Sequence, residues 1–200
     1  MNRLVITMGD PCGVGPEIIV KFFDGIYKVE DKRLFLVVVG SKSVLEYYKK
    51  KLRIDLEIVE ITKAHIVDGK LENGKLHLIN IDTDIDKLEF GKHTELGGAL
   101  SIKYLDKAIE LCHGKYVDGI VTCPISKDSI NMAGFKYSGH TEYLAEKSKT
   151  EDFAMVLKGK KVVVLLNSTH VSLKEAINRV TKESVLNKIR LAQKAKKELG

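Results

Sequence analysis

The sequence predicts an α/β protein with a layered, largely parallel sheet, and three observations carry that reading. Short apolar runs alternate with amphipathic helical patterns along the chain. Residues 34–39, LFLVVV, are apolar at every position, as expected for a strand covered on both faces. Residues 119–121, GIV, run into Thr122, Cys123 and Pro124, and proline cannot donate to a central ladder. Lys127, Asp128 and Ser129 follow at once, where α/β proteins commonly place ligand groups.

In chain order, residues 4–8 form the first strand and residues 34–39 the second. Residues 56–59 and 75–79 alternate in character, as edge strands do. The turn-rich segment 68–74 between them suggests a hairpin or an exposed excursion. Leu100, Tyr104, Leu105, Ala108, Ile109 and Leu111 recur with helical spacing and define an amphipathic helix. That helix feeds the strand at 118–122, which the pattern places in the interior of the sheet with residues 124–127 at its carboxyl end. Residues 154–157 and 162–166 are two further strands. A lysine-rich helix closes the chain from residue 181 to 199, with Val185, Ile189, Ala192 and Leu199 on its buried side. The lobe boundary is expected near Pro124, giving lobes 1–123 and 124–200.

Three polar clusters are candidate sites. Gly134 and Gly139 bracket a turn that delivers Ser138, His140, Thr141 and Glu142 together. A hydroxyl capping the helix that starts near Glu142 is the plainer reading of the same residues. The first strand runs into MGDPCGVGPEII, where Gly13 and Gly15 allow tight backbone geometry and Pro16 suits a first helical turn. Asp10 there could contact a ligand or cap the turn. Ile18 stands where the dinucleotide fingerprint needs its third glycine, and the Lys-Ser/Thr of a P-loop is missing. Finally, Asn167, Ser168, Thr169 and His170 follow the VVVLL run, and a neutral imidazole at a strand end can ligate a metal. A lone histidine in that place is more often just hydrogen-bonded. His65, His77, His93 and His113 show no ligand spacing.

Composition narrows the function classes. Of 200 residues, 44% are hydrophobic and 30% charged, ordinary for a globular protein. The net charge of +6 comes from dispersed lysines, and only 6% of residues are aromatic. No stacking motif interleaves with the basic groups, so the charge suits a solvated surface or a phosphorylated substrate better than nucleic acid. No apolar stretch approaches membrane-spanning length, and the start MNRLVITMGD is too short a run for a signal peptide. Cys12, Cys112 and Cys123 are odd in number and far apart, which argues against a disulfide framework. A cytoplasmic protein is expected.

Three segments in order and spacing, ITMGDPCGVGPEI, TCPISKDSINMAGFKYSGHTEYLAE and LLNSTHVSLKEAI, resemble the 4-hydroxythreonine-4-phosphate dehydrogenases of vitamin B6 synthesis. The resemblance covers essentially the whole chain. It implies a three-layer α/β/α fold of two lobes, like isocitrate and isopropylmalate dehydrogenases, in keeping with the failed glycine fingerprint. It implies oxidation of the secondary alcohol of a phosphorylated hydroxy-amino acid, with NAD or NADP accepting hydride, and decarboxylation of the β-keto acid formed. By motif, His140 and Thr141 of GHTE would contact substrate. His170 of NSTH would be one of three histidine ligands to a divalent metal (zinc, magnesium or cobalt), and Lys127 of PISK a phosphate or proton-transfer partner. The family's other metal histidines and much of its NAD site lie beyond the part that matches this chain, which has no LNPH-like or YHDQG-like segment. A chain of this extent is therefore expected to hold zinc weakly. A homodimer is expected, since the family places its site at a subunit interface. A dehydrogenase of phosphorylated four-carbon sugar acids and a non-catalytic phosphometabolite-binding module are the alternatives.

Overall fold

In the computed structural model of the chain, residues 2–26, 34–69, 74–81, 83–137 and 139–199 are described. The expected turn at residues 70–73 and Ser138 of the GHTE turn lie outside them. The chain forms two compact units, Met1–Leu144 and Ala145–Gly200.

The first unit is built on five parallel strands: β1 (Asn2–Thr7), β2 (Leu34–Gly40), β3 (Ile58–Glu60), β4 (Leu76–Asn80) and β5 (Gly119–Thr122). Their spatial order is β3-β4-β2-β1-β5. Consecutive residues of β2 from Phe35 to Val39 are all buried. Neighbouring side chains on a strand point to opposite faces, so both faces of the sheet are covered, as the apolar run requires. The helices are α1 (Gly15–Lys21), α2 (Lys42–Leu52), α3 (Lys63–Asp68), α4 (Glu95–His113), α5 (Lys127–Met132) and the start of α6 (His140–Lys147). Helix α4 lies across β1, β2 and β5 and buries Leu100, Tyr104, Leu105, Ala108 and Leu111. Burying each large apolar side chain contributes about 2 kcal/mol, so α4 is the principal clamp on this end of the sheet.

Three expectations are corrected. Strand β5 is not interior: it forms one edge of the described sheet, and Val121 is 45% exposed. Its apolar run is too short to separate an interior strand from an edge strand that packs on one side only. The strand at 76–80 is interior, between β3 and β2, and His77 on it is buried. Its alternation was an imidazole inside the sheet rather than a solvent face. β3 and β4 run parallel, so a crossover through α3 joins them instead of a hairpin.

The second unit pairs β6 (Val156–Lys158) with β7 (Val163–Leu165) as an antiparallel hairpin, followed by α7 (Leu173–Asn178) and α8 (Lys182–Leu199). The expected buried side of α8 is another correction, because Val185 and Ile189 are exposed, as are Val162, Val163, Leu173 and Ile177. A two-stranded hairpin is too narrow to cover an eighteen-residue helix along its length.

Candidate functional site

The carboxyl ends of β1 and β5 lie side by side, since Thr7 pairs with Thr122. The chain leaves β1 toward β2 on one side, while β5 flanks β1 on the other. This is a topological switch point, where a crevice opens between diverging connections. The turn after β1 must pass close to the loop after β5. At Gly9, φ is +73° and a Cβ would stand 2.2 Å from the Pro124 carbonyl oxygen, so only glycine fits. The amide of Asp10 then donates to that same carbonyl at 3.0 Å.

Asp10 is 4% exposed. Its Oδ1 accepts the Cys12 amide at 2.9 Å and its Oδ2 accepts the Ser129 hydroxyl at 2.9 Å. Oδ1 also stands against the first turn of α4, where a Cβ on Gly97 would lie 2.7 Å from it. Partial positive charge at a helix start favours a carboxylate there. Of the two roles open to Asp10, the described contacts are those of a brace. Ser129 in turn accepts the Thr94 amide, tying α5 to the start of α4. The Gly91 amide donates to the Cys12 carbonyl at 2.8 Å, and Ser126 Oγ and His93 Nδ1 share a hydrogen bond of 2.8 Å. Three loops are thus laced around a crevice of about 390 Å³ lined by Asp10, Gly13, Lys92, His93, Ser126 and Lys127, among others.

The GHTE histidine is placed by packing. Tyr143 on α6 is 1% exposed in a small core with Ile102, Leu105, Ile109 and Ile130. Its hydroxyl donates to Asp106, and its ring meets Tyr137 edge to face at 4.9 Å. That anchor sets His140 on the first turn of α6, half-buried, with Nε2 enclosed and without a hydrogen-bond partner among the described residues. Burial lowers the His140 pKa below its ordinary value, so the ring is neutral at pH 7. Thr141 beside it is half-buried.

His170 belongs to the second unit, exposed, in the turn after β7, with φ of +57°. Left-handed backbone at a non-glycine residue is uncommon, though histidine adopts it more often than most. Among the described residues no three His, Cys, Asp or Glu side chains converge as a metal site. The described residues do not complete a metal centre, and no catalytic step is assigned to one. Of the other histidines, His65 completes a capping box with Thr62 on α3, and His77 is in the sheet. His93 is the one that sequence spacing missed. Its partner Ser126 is distant in sequence, on the loop after β5, and the segment before α4 that carries His93 is held against that loop by the hydrogen bonds of Gly91 to Cys12 and Thr94 to Ser129.

Residues 32–200 match the family described as pyridoxal phosphate biosynthetic protein PdxA. The chain is 40% identical over 198 residues to a 4-hydroxythreonine-4-phosphate dehydrogenase of Sulfurihydrogenibium sp., covering 99% of this chain and 59% of that protein. It is 38% identical over 200 residues to a provisionally named D-threonate 4-phosphate dehydrogenase of Fusobacterium nucleatum, covering 100% and 59%. The crystal structure of a 4-hydroxythreonine-4-phosphate dehydrogenase from Klebsiella pneumoniae superposes with a TM-score of 0.89 at 28% identity, over 100% of this chain and 59% of that one. The chain thus spans about 59% of the length of these relatives. The expected fold holds: it is the α/β/α architecture of the isocitrate and isopropylmalate dehydrogenase type. By its sequence match and its fold, the chain belongs to the PdxA family of pyridoxal phosphate biosynthetic proteins.

Proposed function

We propose that the chain is part of a dehydrogenase that oxidises 4-phosphooxy-L-threonine with NAD or NADP, assisted by a divalent metal. The β-keto acid formed loses carbon dioxide to give 3-amino-2-oxopropyl phosphate, in pyridoxal phosphate biosynthesis. The observation that carries this reading is His140. A half-buried imidazole whose Nε2 is enclosed and unpartnered among the described residues, at the head of a helix anchored by Tyr143, is a polar group held for a ligand. Being neutral, the ring can donate one hydrogen bond to substrate and accept another, and the Thr141 hydroxyl stands next to it. His170 keeps its proposed role as one metal ligand. Its left-handed backbone is a conformation that glycine adopts at lower cost, which supports a reason for histidine beyond stability.

The division into lobes 1–123 and 124–200 is likewise proposed for the complete architecture. So is a cytoplasmic homodimer, which the exposed apolar side chains of the second unit support. Light scattering that finds only monomer at micromolar concentration would count against the dimer. No described helix is long and apolar enough to cross a membrane.

The dehydrogenase is tested by following reduced nicotinamide with the full-length protein, 4-phosphooxy-L-threonine and added zinc, magnesium or cobalt. Turnover is expected, and His140→Ala should raise KM more than it lowers kcat. The 38% identical relative named for D-threonate 4-phosphate favours a second reading, a phosphorylated four-carbon sugar acid as substrate. Running both compounds side by side separates the two. Absence of turnover with either, under every metal and both nicotinamides, refutes the enzyme reading.

A further inference from the structure

The hydrogen bond that ties α6 to α4 has a consequence for the site as well as for the fold. We propose that Asp106, an exposed carboxylate on α4, is a positioning residue for substrate binding: through the Tyr143 hydroxyl it fixes the rotation of α6 and so the direction of His140 Nε2. This rests on the reading that His140 contacts substrate, but its first test requires no turnover.

Spacing couples the two residues. Tyr137, His140 and Tyr143 follow one another at intervals of three. Positions three apart on a helix share a face, so a rotation that moves the Tyr143 ring carries His140 with it. Tyr137 lies ahead of α6 and meets the Tyr143 ring at an interplanar angle of 88°. The two rings thus close the turn that delivers His140.

Packing alone sets that rotation loosely. Tyr143 sits among Ile102, Leu105, Ile109 and Ile130, and apolar burial has no preferred direction. A hydrogen bond does, weakening steeply as it bends, and one to a carboxylate is roughly twice as strong as a neutral one. The Tyr143 hydroxyl donates to Asp106 Oδ1, which pins the far end of the ring to α4. Helix α4 is a firm reference, since Leu100, Tyr104 and Leu111 are buried along it and it lies on β1, β2 and β5.

His140 is where that precision is needed. Its Nε2 is enclosed and has no hydrogen-bond partner among the described residues, so its direction follows from the helix that carries it. A displacement of about 1 Å at a substrate-positioning group can cost up to a hundredfold in rate. Asp106 itself is exposed in an open groove with Lys103 and Lys107, where a substitution disturbs the core little. Its loss should therefore be felt at His140 more than in the stability of the fold.

The test compares Tyr143→Phe, which keeps the ring and removes the hydroxyl, with Asp106→Ala and the double variant. In the 200-residue chain with ¹⁵N-labelled histidines, the His140 ring signals are assigned through His140→Gln. Both single variants should shift those signals, and the double should shift them no further, because all three remove one and the same bond. Asp106→Asn keeps an acceptor oxygen and should hold them near the parent. In the full-length protein each single variant should raise KM for 4-phosphooxy-L-threonine about fivefold, the scale of one hydrogen bond, with kcat within about twofold. Lys103→Met, in the same groove, should move neither reading. Unmoved His140 signals in Tyr143→Phe overturn the proposal, and so do shifts that add in the double variant or equal shifts from Lys103→Met. A fall in kcat at constant KM overturns it too. A pair that only stabilises the fold would lower the thermal midpoint and leave the ring signals and KM alone. Absence of turnover would remove the dehydrogenase reading and leave the ring signals to decide this one.

Discussion

Replacing Asp10 with alanine tests whether that carboxylate braces the loops of the site. The change leaves the Cys12 amide and the Ser129 hydroxyl without their acceptor, and both residues are almost wholly buried. A hydrogen bond to a charged acceptor contributes about 1.5–3 kcal/mol. The favourable position against the start of α4 adds about 0.5 kcal/mol. With some local relaxation the loss should be about 3–4 kcal/mol, a large part of the 5–15 kcal/mol typical of a domain. In urea the midpoint should fall by about 1.5–2 M if the slope is near 2 kcal/mol/M. Asp10→Asn keeps one acceptor oxygen and should lose about half as much. Tyrosine fluorescence and far-UV circular dichroism report the transition, since the chain has seven tyrosines and no tryptophan. A midpoint within about 0.3 M of the parent would refute the bracing role. A higher midpoint would show that the carboxylate is held for a ligand at the expense of the fold.

Three other outcomes are expected. Gly98→Ala should lower the thermal midpoint by an amount equivalent to about 2 kcal/mol, because a Cβ would sit 1.9 Å from the Ser129 carbonyl oxygen and 2.7 Å from the Ile130 amide. Alanine otherwise favours a helix, so a raised midpoint would mean that α4 and α5 do not touch there. His140, held neutral by burial, binds its proton less readily folded than unfolded. The unfolded state therefore gains protons first as pH falls through about 6.5, and stability should drop from there toward pH 5. His140→Gln should flatten that slope, read from urea midpoints across the range. Cys123 is buried and its thiol is pushed up to about 11. Burial raises the Cys12 thiol as well. Neither should be alkylated by iodoacetamide in the native protein at pH 7.5, and modification of either in peptide maps would show the site to be more open than described.

The fold class, most of the strands and the long helices were legible in the order of the amino acids. Those follow from local periodicity: LFLVVV fits only a strand covered on both faces, and the spacing from Leu100 to Leu111 fits only a helix with one buried side. It also marked the GHTE turn and the NSTH turn, because several polar side chains crowd a few positions there. Strand order was not legible. GIV reads alike at an edge and in the interior, and the alternation around His77 mimics a solvent face, so β5 and β4 exchanged their expected places. The burial of α8 was not legible either, since an apolar stripe says that a helix can be covered without supplying the cover. That Asp10 turns inward as a brace, and that His93 and Lys127 stand on one rim, depends on the packed fold. Hydrogen bonds between distant segments exist only once the sheet has set its order: pairing β1 with β5 brings Asp10 and Ser129 within reach, and the segment before α4 then packs His93 against Ser126.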